Sequence, residues 1–314
     1  MTKSTEMDSL IRTLSIQLPS PEQRLNLDCK NANQVEIWIK RDDLIHAVIS
    51  GNKWRKLSNI LRIALQSPPA KIISFGGGYS NHIHALAYCC NVLKIPFLAY
   101  IRGNYAQNMT PMLTDISRWG AQIEWVNKVT YAKRAEPSYI SQLNAQYPNS
   151  MIIPEGGSQQ AALEGVSSII NELTQPYDLI AAPVASGGTI AGLIHASHNM
   201  DTSVLGIAVL KGHDYLYDLV NQFLPAKMKT ASDETGASAK WQINSEFHFG
   251  GYAKKPAELL AFCNNFQQHN KIELEPIYSG KLFFALSQLI EKNYFPKYTK
   301  ILALHTGGLQ GIRP

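Results

Sequence analysis

Short apolar runs alternate with segments of helical period along most of this chain, and this alternation limits what it can fold into. Lys71–Phe75 and Leu179–Val184 have the length and content of buried strands, and Ser80–Leu93 and Thr189–His198 follow them with helical spacing. Strand–helix alternation favours parallel sheets that helices cover on both faces. The sequence therefore predicts an α/β fold.

The other predicted elements continue this pattern. Strands are expected at Val35–Ile39, Phe97–Arg102, Gln122–Val126, Met151–Ile153, Val204–Val209 and Lys300–Leu304. Helices are expected at Trp54–Leu65, Ala161–Leu173, Pro256–Gln268 and Lys281–Glu291. The polar stretch Lys227–Ser245 is predicted to be an irregular insertion.

Composition excludes several classes of protein. The 314 residues carry 29 basic and 24 acidic side chains, and the excess of +5 is too scattered to indicate nucleic-acid binding. No apolar run approaches the roughly 18 residues that a membrane span needs. The four cysteines, Cys29, Cys89, Cys90 and Cys263, form no CxxC pair, and the first residues lack a signal-peptide core. A cytoplasmic protein is predicted.

Several familiar motifs fail on inspection. Gly76–Asn81 lacks the third glycine of a dinucleotide-binding turn, and His82 stands where a nucleophile elbow needs glycine. His82 and His84 point to different sides of a helix, while His195 and His198 share a face without an acid or cysteine beside them. No metal site is predicted, and these residues are interpreted as core or surface histidines.

One glycine-rich turn has the features of a phosphate site. The strand Leu179–Val184 runs into the residues Ala185, Ser186, Gly187, Gly188 and Thr189, and a helix follows. Successive small residues leave backbone N–H groups free to converge, and the helix N-terminus adds positive potential. A plain tight turn is the alternative for this segment taken alone.

A second candidate is the lysine of Ser50–Leu57. Lys53 stands at the start of a predicted helix, beside Gly51, and Arg41–Asp43 supply a polar frame. A lysine that is partly desolvated at a helix N-terminus has reason for a lowered pKa, which makes its amine nucleophilic. A solvated surface lysine is the alternative.

Seven motifs in this order resemble one known family. They are Lys40–Asp43, Ser50–Leu57, Gly76–His82, Ser186–Gly192, Gly251-Tyr252, Pro276–Lys281 and His305–Gly308. Together they resemble the 1-aminocyclopropane-1-carboxylate (ACC) deaminase / D-cysteine desulfhydrase family of pyridoxal-phosphate (PLP) enzymes. The similarity runs from about Val35 to Gly308.

The resemblance implies roles for the cofactor side of the site. Lys53 is expected to carry PLP as a Schiff base and later to move the substrate proton. Asn81 is expected to bind the 3′-oxygen, and Ala185–Thr189 the phosphate. Ser279 and Thr306 lie where the family places groups near the pyridine nitrogen.

The resemblance also implies a substrate side and an architecture. Ser80 matches a serine suited to the substrate carboxylate, and Tyr252 and Tyr278 match the tyrosines that line the substrate. The implied fold is PLP fold type II, with two three-layer domains of mostly parallel sheets. Residues 1–57 and 163–314 are expected to form the large domain and residues 58–162 the small inserted one. A homodimer is expected.

Two positions favour one member of the family. The ACC deaminase subgroup has an acid where this chain has Ser279, and an amide side chain where it has His82. A hydroxyl hydrogen-bonds to a largely neutral pyridine, which suits the easier elimination of sulfide. The prediction is D-cysteine desulfhydrase-like β-elimination to pyruvate, ammonia and hydrogen sulfide, within the classes lyase, deaminase and hydrolase. ACC deaminase and a PLP-binding protein with little turnover are the alternatives.

Overall fold

A computed structural model describes residues 3–229 and 240–313 of the chain. Within these ranges the strands are β1 (Glu22–Leu25), β2 (Glu36–Lys40), β3 (Lys71–Gly77), β4 (Phe97–Arg102), β5 (Gln122–Val126), β6 (Ser150–Ile153), β7 (Leu179–Val184), β8 (Ser203–Ala208), β9 (Trp241–Asn244) and β10 (Lys300–Leu304). The helices are α1 (Lys3–Thr13), α2 (Asn52–Gln66), α3 (Asn81–Leu93), α4 (Pro111–Arg118), α5 (Lys128–Ala132), α6 (Pro137–Gln146), α7 (Gln160–Asn171), α8 (Gly188–Ser197), α9 (His213–Asn221), α10 (Ala257–Asn270) and α11 (Ser279–Glu291).

The strands form two sheets. The larger sheet has the order β1-β2-β10-β7-β8-β9, in which β1 pairs antiparallel to β2 and the other pairs are parallel. The smaller sheet has the order β5-β4-β3-β6 and is parallel throughout. Both sheets agree with the predicted α/β fold of mostly parallel strands.

Helices cover both faces of each sheet. In β7, Leu179 faces a core that α10 and α11 complete, whereas its neighbour Ile180 faces the core formed with α7, α8 and α9. In β3, Ile72 packs with α1 to α4, and Ile73 packs on the opposite face with α5 and α6. Side chains that alternate between two buried faces explain why these strands read as continuous apolar runs.

The predicted irregular insertion Lys227–Ser245 is wrong at its end. Residues 241–244 form β9, in which Trp241 and Ile243 are buried at the edge of the larger sheet. Two apolar residues in a polar stretch were too short a pattern to indicate a strand. The middle of that insertion, residues 230–239, lies outside the described residues.

Candidate active site

Two glycine-rich turns, after β7 and β10, meet at the start of α2. Gly51 has a φ of +65° and presses on the last turn, since an added Cβ atom would lie 1.8 Å from the carbonyl oxygen of Thr306. The Asn52 side chain donates to the hydroxyl of Thr189 over 2.9 Å. Both contacts involve strands of the larger sheet. The segment after β3 of the smaller sheet joins them through Asn81, whose amide nitrogen would lie 2.8 Å from a Cβ atom on Gly308. The carboxyl ends of strands from both sheets thus meet at one cleft, where α/β folds bind ligands.

A buried ion network fixes the first turn of α2. The guanidinium of Arg55 donates to both carboxylate oxygens of Asp42, at 2.8 and 3.1 Å, and also contacts Glu172. The Asp42 backbone carbonyl in turn accepts from the N–H of Gly51. Removing one partner of such a buried pair costs about 3–5 kcal/mol, because the other charge is left uncompensated. The helix start that bears Lys53 is therefore rigid.

Lys53 projects from this helix start into the cleft. Its amine makes no hydrogen bond with any residue in the described ranges, and its side chain is partly exposed. Burial lowers the pKa of the amine to about 8, and the negative charge of Glu275 opposes that shift. With that pKa about a tenth of the amine is neutral at pH 7, far more than for an ordinary lysine, and nucleophilic and proton-transfer roles require the neutral form.

One turn further along α2, Lys56 forms a small polar cluster with two serines. Its ammonium donates to the Ser158 hydroxyl over 2.7 Å and to the Ser186 hydroxyl over 3.2 Å, and the two hydroxyls lie 2.7 Å apart. Burial, together with the charge of Lys53, holds the pKa of Lys56 well below its usual value. A bound anion would favour the protonated amine, so a lysine that lies among hydroxyl groups without a counter-charge is suited to bind an anion.

The N-terminus of α8 completes this cluster. Gly187 has a φ of +79°, and an added Cβ atom would lie 2.3 Å from the carbonyl oxygen of Leu219. A Cβ atom on Gly188 would lie 2.8 Å from the Ser158 hydroxyl oxygen. The turn therefore requires glycine, and it leaves the helix N–H groups close to Lys56 and Ser186, as a phosphate cradle does.

The turn after β3 supplies the N-terminus of α3. The Ser80 hydroxyl accepts from the N–H of Ile83 and caps the helix, which leaves its own O–H hydrogen free to donate. The Asn81 side chain accepts a hydrogen bond from Gln310, and Gly308 packs against its amide nitrogen. Both predicted residues thus lie at the cleft, where the turn after β10 covers them.

The start of α11 closes the opposite end of the cleft. The hydroxyl groups of Tyr252 and Tyr278 are 3.3 Å apart, and their rings meet edge to face. Burial, with the charge and hydrogen bond of Tyr252, raises the pKa of the Tyr278 phenol. Beside them, the hydroxyl of Ser279 is buried and has no hydrogen-bond partner among the described residues.

These residues fit the PLP that the family resemblance implies. A cationic cluster with hydroxyl groups and a helix N-terminus suits the phosphate, and Lys53 lies on the same helix as Lys56. The hydroxyl of Ser279 is buried and makes no well-directed hydrogen bond among the described residues, although it lies close enough to the Glu275 carboxylate to lower the pKa of that acid. It is therefore free to turn towards a ring nitrogen.

Comparison with known proteins agrees with this fit. The model of a protein family described as "Pyridoxal-phosphate dependent enzyme" matches residues 18–307. The mitochondrial bifunctional D-cysteine desulfhydrase/ACC deaminase of Arabidopsis thaliana is 30% identical over 319 residues, which cover 94% of this chain and 77% of that one. This chain belongs to the PLP-dependent enzymes.

Solved structures show that this PLP enzyme is also similar to known proteins in its fold. An ACC deaminase homologue superposes with a TM-score of 0.76 at 26% identity, covering 99% of this chain and 96% of that one. A hydrogen sulfide-producing enzyme from Fusobacterium nucleatum gives a TM-score of 0.64 at 14% identity, covering 95% and 98%, and shows the fold alone. The predicted fold type II is confirmed, and the enzyme belongs among the ACC deaminase and desulfhydrase homologues. The predicted class hydrolase is wrong, since the relatives are named for deamination and desulfhydration.

His82 of this PLP enzyme is buried in the core, which is one of the two predicted settings. The Ser74 hydroxyl donates to the Ile153 carbonyl, so it must accept from Nε2–H of His82. Nδ1 of His82 is then an acceptor beside Gly157 that has no hydrogen-bond partner in the part of the chain that the structure describes. Burial and the charges of Lys53 and Lys56 hold the pKa of the imidazole well below its usual value, so the ring is neutral.

Sequence reasoning missed three polar residues of this PLP enzyme's site. Lys56 follows Lys53 by three positions, and helical spacing places both on one face, so a signal existed. Ser158 and Glu275 have no such signal, because each reaches the cleft through a loop whose path the sequence does not reveal. Among the described residues no group of histidine, cysteine or acidic side chains is arranged to hold a metal ion, and none of the helices is both long and apolar enough to cross a bilayer.

Proposed function

We propose that this PLP enzyme is a lyase or deaminase of small amino acids, with D-cysteine as substrate and pyruvate, ammonia and hydrogen sulfide as products. One observation carries the choice: at the position after Tyr278, where the ACC deaminase subgroup has an acid, this chain has the buried hydroxyl of Ser279. A hydroxyl does not keep a pyridine nitrogen protonated, and sulfide leaves without that help.

The bound cofactor would supply the electron sink, and the chain's residues supply binding, orientation and proton transfer. Lys56, Ser158 and the turn Ser186–Thr189 hold the phosphate. The free O–H of Ser80, at the positive end of α3, holds the substrate carboxylate. Lys53 moves the proton at the substrate Cα, for which its lowered pKa is suited.

Tyr278 and Tyr252 act on the leaving group. The raised pKa of Tyr278 keeps its phenol protonated, so that it donates a hydrogen bond at the pH at which Lys53 is partly neutral. Tyr252 is half exposed, and its hydroxyl lies 3.3 Å from that of Tyr278. The pair therefore places a second hydroxyl beside the proton donor.

The test is an assay of keto acid and sulfide with D-cysteine, L-cysteine, D-serine, β-chloro-D-alanine and ACC. Pyruvate and sulfide in equal amounts from D-cysteine, with little product from L-cysteine, are expected. A PLP-loaded chain that releases neither from D-cysteine contradicts the proposal. If it also releases nothing from the other four, the third prediction applies, a PLP-binding protein with little turnover.

ACC deaminase is the second candidate, because the Arabidopsis relative carries both activities in its name and the solved homologue is named for ACC deamination. It predicts 2-oxobutyrate and ammonia from ACC. The variant Ser279→Glu places an acid next to Tyr278 and is expected to raise the yield from ACC relative to that from D-cysteine.

The cytoplasmic location, the homodimer and the small domain over residues 58–162 stay predictions. Sedimentation tests the homodimer, and limited proteolysis tests the domain limits.

A further inference from the structure

Lys281 is a fully buried lysine in the first turn of α11. Its ammonium donates three hydrogen bonds, to the backbone carbonyl oxygens of Gly251 at 2.8 Å, His248 at 2.9 Å and Val209 at 3.3 Å. Burial lowers the pKa of this amine to about 8, so it is mostly protonated at neutral pH. An ammonium has three N–H donors and no acceptor, so the three carbonyl groups use all of them.

These carbonyl groups belong to two segments that are distant from α11 in the chain. Val209 follows β8 at the carboxyl edge of the larger sheet, and His248 and Gly251 belong to the turn after β9. The turn is closed by its own hydrogen bond, from the N–H of Gly251 to the carbonyl oxygen of His248 over 3.0 Å. One ammonium therefore joins the helix, the edge of the sheet and the turn that precedes Tyr252.

The backbone around this turn needs such an anchor. Phe249 and Ala253 have φ angles of +56° and +60° although both carry a Cβ atom, and Gly251 between them has a φ of +123°. A left-handed residue with a Cβ atom costs about 1–2 kcal/mol, so it persists only where its surroundings hold it. The ring of Phe249 packs against Phe284 on α11, and Lys281 from the same helix holds the carbonyl group of Gly251.

The start of α11 holds two successive residues of this segment. Lys281 binds the carbonyl group of Gly251, and Tyr278, about one helical turn earlier, contacts the next residue, Tyr252. The two tyrosine hydroxyl groups are 3.3 Å apart and their ring centroids 6.1 Å apart. Because the Tyr252 side chain is 50% exposed, its position depends strongly on the backbone that precedes it.

We propose that Lys281 is a positioning residue of the active site, whose ammonium fixes the turn of residues 248–251 and thereby keeps Tyr252 against Tyr278. This role rests on the proposed function only in taking the two tyrosines as residues that line the substrate, and the identity of the amino acid does not enter. A lysine that contributed to global stability alone would leave the exposure of Tyr278 unchanged in the folded chain.

The experiment measures the nitration of single tyrosines by tetranitromethane in the full-length, PLP-free chain, with the sites identified by peptide mass mapping. The rate at Tyr278 is expressed relative to that at Tyr298, which is exposed. It is expected to rise about tenfold in Lys281→Ala, because Tyr252 leaves it when a charged hydrogen-bonding group is lost. Lys255→Ala removes an exposed lysine of the same segment and is the matched control, which should follow the wild type.

Chemical rescue separates the ammonium from the packing of its stem. n-Propylammonium supplies the carbons and the nitrogen that Lys281→Ala removes, and it should return the rate at Tyr278 towards the wild-type value, whereas sodium chloride at the same concentration should not. A rate in folded Lys281→Ala equal to that of the wild type overturns the proposal. So does a rise that n-propylammonium leaves unchanged, since it would assign the effect to lost packing.

A second variant applies if Lys281→Ala does not fold. Lys281→Met keeps an apolar stem and lacks the three N–H donors, and the rate at Tyr278 is again expected to rise about tenfold. An unchanged rate in this variant would overturn the proposal. Neither measurement uses an amino-acid substrate, so a chain inactive on D-cysteine would still show the change, and failure of the two proposals is distinguishable.

Discussion

The two ends of the active-site cleft bury opposite charges. At the phosphate end, Lys56 is surrounded by hydroxyl groups and has no acidic partner among the groups that perturb its pKa. At the opposite end, by the start of α11, Glu275 takes up the helix N–H groups that point towards it. Lys56 has no counter-charge until an anion binds, whereas the carboxylate of Glu275 already accepts hydrogen bonds from the backbone of the chain. The comparison indicates that ligand binding stabilises the phosphate end most.

The largest expected effect tests the acidic end through the pH dependence of stability. Burial raises the pKa of Glu275 from 4.5 to about 7 in the folded chain, so the folded state holds more protons than the unfolded state in that interval. The free energy of unfolding of the PLP-free wild type therefore falls as the pH rises from 4.5 to about 7, by about 3 kcal/mol from this group.

Glu275→Gln lacks this group and isolates its contribution from those of the buried histidines. Chemical denaturation at several pH values should show the variant gaining stability relative to the wild type across that interval, while Glu273→Gln, which removes the same charge from an exposed side chain, follows the wild type. Parallel curves for the wild type and Glu275→Gln would show that the carboxyl is ionised throughout, against the burial argument.

The second effect tests the cationic end. Lys56→Met removes the buried charge that faces Ser158 and Ser186, and the affinity for PLP should fall about 100-fold, as expected for losing a buried charged contact. Equilibrium titration with PLP measures it, and Lys255→Met, which removes an exposed lysine, is the control. An unchanged affinity in Lys56→Met would place the phosphate elsewhere.

The smallest expected effect concerns the two hydroxyl groups at the phosphate end of the cleft. Ser158→Ala and Ser186→Ala each remove one hydroxyl of the cluster and should weaken PLP binding about fivefold to tenfold. In the double variant the affinity for PLP should fall by less than the product of the two single-variant factors, because both hydroxyls contact Lys56. Ser141→Ala, on the exposed face of α6, is the control. Fully independent losses would mean that the three groups do not act together.

Local patterns decided what was predictable from the sequence. The apolar runs of β7 and β10 and the glycine turns after them locate the cleft, because the carboxyl ends of parallel strands share one edge. The polar frame of Arg41–Asp43 around Lys53 is confirmed in part by the contacts of Asp42 with Arg55 and Gly51. These features depend on neighbours in the chain, so their spacing is informative.

Contacts between distant segments were not predictable. Ser158 meets Lys56 across 102 positions of sequence, and no motif marks it. Glu275 stands one residue before the motif that begins at Pro276, where its capping role is visible only when the helix direction is known. The edge strand β9 was not predicted because its two buried residues stand among polar ones, and so short an apolar pattern does not indicate a strand. The roles of the individual site residues stay predictions that the variants above test.

The most direct test of the central claim is to reduce the PLP-loaded chain with borohydride and map the pyridoxyl adduct by peptide mass spectrometry. Two lysines, Lys53 and Lys56, lie within one helical turn, and only Lys53 lacks a hydrogen-bond partner among the described residues. A single adduct on Lys53 is the expected result. An adduct on Lys56, or none on either lysine, would contradict the account.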